Sequence, residues 1–174
     1  DSFFVSKMGM SIELLKSLKP ILLSTMLLPT TSGEEVTSYE MELLKKANQK
    51  GIPMAGLESV SEQMSFIDQL PYTYQAKELM KVLDGDLKDD DFTILIEAYK
   101  SQNIDVLAEE IKKQNQSSIA MESILLNDRN KNWIPKVEEL IKKQPCFIAV
   151  GAGHLGGKDG VINLLKKKGY ILNP

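Results

Sequence analysis

Cysteine and histidine each occur only once in the 174 residues, as Cys146 and His154. A single cysteine forms no disulfide within the chain, and it cannot build a zinc site of several thiolates. Basic residues are not in excess, because 21 Lys and Arg stand against 24 Asp and Glu, and the net charge is −3. With no basic stripe to neutralise phosphates, we expect no nucleic-acid partner.

Long apolar runs are also missing. The longest covers residues 21–28 and ends at Pro29, whereas a helix that crosses a membrane needs about 20 apolar residues. We therefore expect no membrane span. The chain begins at Asp1 without the features of a signal peptide, and this predicts an excised piece or a mature form.

The apolar residues that are present mostly follow a helical period. Ser59 and Glu62 have the spacing of a capping box, which predicts the start of a helix. Pro135 is tolerated only in a first turn, so the helix that contains it should begin close to Trp133. The predicted helices cover residues 38–50, 59–70, 73–83, 92–100, 104–113, 118–126, 133–143 and 161–168.

Three short apolar segments, Ile52–Leu57, Cys146–Val150 and Gly169–Leu172, predict strands. The second and third flank a glycine-rich turn and a helix, which is the order of a βαβ-like unit. The sequence therefore predicts one α/β domain over residues 1–174, rich in helix, with a small and mainly parallel sheet.

The glycine-rich turn Gly151–Gly157 carries the only histidine. Its first six residues match the G-x-G-x-x-G pattern, but the chain ends at Pro174 before a ribose-binding acidic residue can follow. A Walker A loop fails as well, since Lys158 is followed by Asp159 and not by Ser or Thr. Both departures argue against a nucleotide site.

His154 is the residue of chemical interest in this turn. Neighbouring glycines let the backbone turn sharply and let a ligand approach closely. A neutral imidazole is a common metal ligand and proton carrier, so the pattern favours a ligand or general base at the end of a strand. The alternative is a structural histidine that hydrogen-bonds the backbone of a tight turn.

The segment Phe147–Val161 closely resembles the C-terminal motif of the TraB/GumN family. That family is similar to the Tiki-type metalloproteases and, more distantly, to the ChaN-like and erythromycin-esterase-like α/β proteins. Other matching positions occur in the expected order: Lys19-Pro20, Tyr39-Glu40-Met41, Gly56-Leu57-Glu58 with Glu62-Gln63, and Arg129-Asn130 with Trp133. The resemblance covers essentially the whole chain.

Function in this family is attributed to two Gly-x-x-His motifs and acidic residues that bind a divalent metal for hydrolysis. By resemblance, the second motif is Gly151 to His154, the acid is Glu58, and Arg129 matches an Arg-Asn position. The first motif has no counterpart here, so the chain resembles roughly the last two-thirds of the family domain. Relatives are often exported or membrane-anchored, which implies a location outside the cytoplasm.

The resemblance thus implies a metal-dependent hydrolase, a peptidase or amidase, that acts on a peptide or small molecule. His154 and Glu58 would bind the metal, Glu58 or His154 could act as the base, and Arg129 would assist the substrate. Gly151 and Gly153 would allow close approach of the cofactor.

Each assignment has an alternative in the sequence itself. Glu58 could be a first-turn acid of a helix, and Arg129 could form a structural salt bridge. The whole chain could also be a non-catalytic module that binds haem or a peptide, or a regulatory domain.

Overall fold

The computed structural model describes residues 2–31, 37–85, 89–114 and 123–173. In chain order, the helices α1 to α10 are Ser2–Met8, Ile12–Leu15, Pro20–Thr31, Tyr39–Gln49, Val60–Asp68, Tyr72–Asp84, Asp89–Lys100, Ile104–Gln114, Asp128–Lys143 and Val161–Lys167. A π-helical turn, Ser123–Asn127, leads directly into α9, and a 3₁₀ turn, Ala152–His154, lies between α9 and α10.

The predicted α/β fold is wrong, because the described residues contain no strand and no sheet. The three predicted strands lie outside the helices, but none of them pairs with another described segment. Around Val150 the alternating apolar side chains pack on a helical core instead: Ile148 and Val150 contact the cluster of α9 and α10, whereas Phe147 is 82% exposed. The continuous apolar run predicted a strand buried on both faces, whereas the segment is partly buried on one side only and forms no hydrogen-bonded ladder.

Local helix signals were predicted well. The capping box at the start of α5 is confirmed, since the Glu62 N–H donates to Ser59 Oγ at 3.1 Å and the Ser59 N–H donates to Glu62 Oε2 at 2.6 Å. Ser38 caps α4 through its hydroxyl alone, which accepts from the Met41 N–H at 3.4 Å. Gly85 ends α6 in the left-handed region, with φ at +70°, where only glycine avoids a steric cost.

Helix α9 differs from its prediction in a way that matters for function. It begins at Asp128, before the expected start near Trp133, and it holds Pro135 in its interior. Proline there cannot donate a hydrogen bond to the preceding turn, but Trp133, Ile134 and Val137 are all buried around it. Their burial offsets the missing bond. The predicted helix 118–126 lies mostly outside the described residues.

Contacts divide the chain into two compact units, Asp1–Met54 with Leu70–Lys88, and Ala55–Gln69 with Asp89–Pro174. In the first unit α3 packs on α6, around a core of Phe4, Leu15, Leu23, Leu27 and Val82. In the second unit α9 packs on α10, around a core of Trp133, Ile134, Val137, Val161 and Leu165. Among the described residues, no helix combines the length and the apolar character that a bilayer crossing needs.

The turn between the 3₁₀ segment and α10 is packed too closely for side chains at two glycines. A Cβ on Gly156 would overlap the carbonyl oxygen of Ile104 at the start of α8, and a Cβ on Gly160 would overlap the carbonyl oxygens of Leu155 and Gly156. Backbone atoms cannot move aside as a flexible side chain can, so Gly156 allows the turn to lie close to α8 and Gly160 allows the turn to close on itself.

We predict that Gly160→Ala destabilises the protein by about 3 kcal/mol through overpacking. Gly151→Ala is the matched control, because both residues have extended backbone angles that alanine adopts. At Gly151 the added Cβ meets only His154 Cδ2, at 3.7 Å, and stability should change by about 0.5 kcal/mol or less. Urea unfolding of the two variants measures the difference, and equal losses would contradict this packing.

Candidate functional site

His154 ends the 3₁₀ turn that follows the extended segment, and its side chain is buried, with 9% of the residue exposed. Burial lowers the pKa of the imidazole from 6.5 to about 4, because the charged form loses its hydration. The nearby Arg129 cation lowers this pKa further, and the Glu58 carboxylate partly opposes it. The ring is therefore neutral at physiological pH.

Asn130, in the first turn of α9, holds the histidine from the side. Its Oδ1 lies 2.7 Å from His154 Nδ1. Its Nδ2 donates to two backbone carbonyls of the same turn, His154 O at 3.3 Å and Asp159 O at 2.9 Å. Only 1% of Asn130 is exposed, so one buried amide contacts both the ring and the backbone of the turn.

Arg129, which precedes Asn130 in α9, forms an ion pair with Glu58 through two hydrogen bonds. Arg129 Nε donates to Glu58 Oε2 at 3.1 Å and Nη2 donates to Oε1 at 2.5 Å. Arg129 Nη1 also donates to the carbonyl of Leu125 in the π-helical turn, at 3.1 Å. The two side chains are 13% and 17% exposed, so the pair is largely shielded from water.

Trp133 connects the ion pair to the histidine. Its indole Nε1 donates to Glu58 Oε2 at 3.1 Å, and the Arg129 guanidinium carbon lies 5.1 Å from the ring centroid, within the range of a cation–π contact. The indole also contacts the His154 ring, with centroids 4.5 Å apart and planes tilted by 43°. The contacts therefore run from the Glu58–Arg129 ion pair to the Trp133 indole and on to the imidazole of His154, which contacts the amide of Asn130.

The structure thus brings the three predicted catalytic residues, Glu58, Arg129 and His154, into one cluster, which we call the His154 cluster together with Asn130 and Trp133. Glu58 and Arg129 are paired with each other, as the salt-bridge alternative for Arg129 anticipated. Glu58 is not simply a helix-capping acid, since its oxygens accept from α9 and not from the first turn of α5.

A divalent metal was expected to bind His154 and Glu58. His154 suits this role, because a buried neutral imidazole is the form that ligates. Glu58 is engaged in this arrangement, since Oε2 accepts from Arg129 and Trp133 and Oε1 accepts from Arg129, so metal binding by Glu58 stays a prediction. Within the described ranges, no three His, Cys, Asp or Glu side chains are grouped closely enough to hold a metal ion.

The predicted role of Gly151 and Gly153 is to let a cofactor approach. A Cβ at Gly151 would have room, and one at Gly153 would come within 3.0 Å of the flexible end of Ile111. Close backbone packing thus explains why residues 156 and 160 are glycines. The role of Gly151 and Gly153 in allowing a cofactor to approach stays a prediction.

Asn130 and Trp133 were not named as site residues from the sequence. The signal was present, because Asn130 is adjacent to Arg129 and Trp133 follows Arg129 by four positions, one helical turn. Placing the start of α9 near Trp133 hid this, since Arg129 and Asn130 then lay in a loop. Because the helix begins at Asp128, Arg129, Asn130 and Trp133 all lie on it within about one turn of each other.

The profile of the TraB/PrgY/gumN family matches residues 3–174. The chain belongs to that family. No curated protein and no solved structure matches the chain. Family membership confirms the resemblance stated from the glycine-rich motif, whereas the distant relationships and the share of the family domain covered by this chain stay predictions.

We predict that the buried histidine makes the protein less stable in mild acid. The unfolded chain takes up a proton as the pH falls through 6.5, whereas the folded protein does so only near pH 4. The stabilisation is complete above pH 6.5 and is lost towards pH 4, by about 3 kcal/mol. Urea unfolding between pH 7 and pH 4 measures it. His154→Gln is the control that removes this dependence, and parallel curves would contradict the assignment.

We also predict that breaking the Glu58–Arg129 pair is costly. Glu58→Gln leaves the Arg129 charge largely buried without its partner, and we expect a loss of about 3 kcal/mol in the free energy of unfolding. The exposed pair of Glu139 and Lys143 is the control, and Glu139→Gln should leave the unfolding midpoint nearly unchanged, because solvent screens this pair. Comparable losses at the two sites, measured by urea unfolding, would show that Glu58 is not shielded as described.

Proposed function

We propose that this chain provides part of the active site of a metal-dependent hydrolase of the TraB type, a peptidase or amidase. The observation that carries the proposal is the buried, neutral His154, which one amide holds in place and one indole contacts. An imidazole in this state has a lone pair available to a metal at neutral pH, whereas a pKa of about 4 makes it a weak general base there. Membership in the family supports the same direction.

In this proposal His154 is a metal ligand, and a divalent metal would supply polarisation of the scissile carbonyl and a more acidic water. Glu58 and Arg129 support Trp133, and Trp133 contacts the imidazole. For Glu58 to act as the second ligand or as a base, or for Arg129 to contact the substrate, their ion pair has to open.

If the chain is part of a peptidase or amidase, as proposed, its substrate is a peptide or a small amide. The chain's own contribution is to hold one neutral nitrogen in a largely buried position, because Trp133 contacts the imidazole ring and Asn130 occupies its Nδ1 edge. A buried imidazole keeps its orientation without reorganisation, which is what a ligand or base needs during a reaction.

Metal titration tests the proposal. Calorimetry with Co²⁺ or Zn²⁺ at pH 7.5 should detect a site whose affinity falls at least tenfold in His154→Gln. Glu139→Gln is the control, since Glu139 is an exposed acid of α9. The metal affinity of this variant should match that of the wild type. Peptide hydrolysis that EDTA abolishes completes the expected result. Equal metal affinity in the wild type and in His154→Gln overturns the ligand assignment.

A second candidate function is a non-catalytic ligand-binding module. The closed Glu58–Arg129 pair favours this function, because it leaves an imidazole nitrogen of His154 as the one metal-ligating atom of the His154 cluster that is not already paired. A haem iron needs only one or two axial ligands from the protein. Haemin titration discriminates the two functions, because a Soret shift that His154→Gln abolishes supports the module. No Soret shift, together with EDTA-sensitive hydrolysis, supports the enzyme.

A further inference from the structure

The side chain of Asn130 can be oriented from its partners alone. Its Nδ2 lies within hydrogen-bond distance of the carbonyl oxygens of His154 and Asp159, and carbonyl oxygens only accept. A flipped amide would place Oδ1 against these two acceptors and lose both bonds. With 1% of Asn130 exposed, water could not replace them, so the flipped orientation is excluded.

The orientation of Asn130 determines which nitrogen of His154 carries the proton. Oδ1 is an acceptor, and it lies 2.7 Å from Nδ1. Nδ1 must therefore carry hydrogen, because two acceptors at this distance would repel each other. A neutral imidazole has a single N–H, so Nε2 is left with its lone pair. In water a histidine side chain favours the opposite tautomer, with hydrogen on Nε2.

We infer that Asn130 is a positioning residue that fixes His154 as the Nδ1–H tautomer and so makes Nε2 the reactive nitrogen. The inference rests on the proposed function for its chemical meaning, since a ligand or base needs a lone pair on a nitrogen that is not already bonded. The tautomer itself depends only on the geometry of these two side chains. Partners on the second nitrogen are known to set ligand orientation and basicity in this way.

Asn130 performs a second task with the same amide. Its two donated bonds bracket the segment from His154 to Asp159, so the amide ties the ring and the following turn to α9. A variant that keeps the acceptor but removes the donors separates the two tasks. Asn130→Asp does this, because a carboxylate accepts from Nδ1–H but cannot donate to the two carbonyls.

The test uses ¹⁵N NMR of the histidine ring, for which the full chain is well suited because it contains one histidine. At pH 7.5 we expect the wild type to show the Nδ1–H tautomer. Asn130→Ala should return the ring towards the Nε2–H form, whereas Asn130→Asp should keep the Nδ1–H form. Asn132→Ala is the matched control, since Asn132 is exposed on the same helix, and it should leave the tautomer unchanged.

Two outcomes overturn the inference: an Nε2–H tautomer in the wild type, or an unchanged Nδ1–H tautomer in folded Asn130→Ala. The wild-type spectrum alone decides the first, even if the alanine variant does not fold. Zn²⁺ affinity then separates the two proposals, with a loss of about tenfold or more expected in Asn130→Ala. A changed tautomer with unchanged Zn²⁺ affinity supports the role of Asn130 and contradicts metal binding by His154.

Discussion

Removing the Glu58 carboxylate from water requires compensation on both of its oxygens, and the rest of the His154 cluster follows from how this is achieved. A shielded carboxylate without partners is strongly unfavourable. Arg129 supplies two donors in a planar fork, and Trp133 supplies a third. Both residues come from α9, so satisfying one acid fixes the rotation of that helix against the segment that carries Glu58.

That rotation determines the surroundings of His154. With Trp133 held beside Glu58, the indole contacts the imidazole, and Asn130 lies at the Nδ1 edge of the imidazole ring. Burial and the Arg129 cation then keep the ring neutral. The need to pair the Glu58 carboxylate thus influences both the position and the protonation state of His154. In the described contacts Glu58 does so without a hydrogen bond to His154.

The sequence predicted what local rules govern and failed where partners distant in the chain decide. The cap at Ser59 and the glycine end at Gly85 need only neighbouring residues, and both are confirmed. The strand at Cys146–Val150 was wrong because an apolar run specifies burial, whereas a strand also needs a partner for its backbone. Burial is only partial, since Ile148 packs on the helical core whereas Phe147 is 82% exposed, and no partner strand occurs among the described residues.

The site divides in the same way. Glu58, Arg129 and His154 were identified by residue type and family resemblance, and they do lie together. A salt bridge was weighed for Arg129, but Glu58 was not named as its partner and Asn130 was overlooked, because the predicted helix began near Trp133 and not at Asp128. A rule that confines proline to the first turn is local, and here the burial of Trp133, Ile134 and Val137 outweighs it.

The two carbonyls held by Asn130 also have a consequence for how this segment can vary. A single amide reaches both His154 and Asp159, so the count of residues between them is set by the reach of one side chain. Inserting or deleting a residue there would carry one carbonyl away from the amide, whereas exchanging the exposed Lys158 would not. The spacing of this segment is therefore constrained more tightly than its composition.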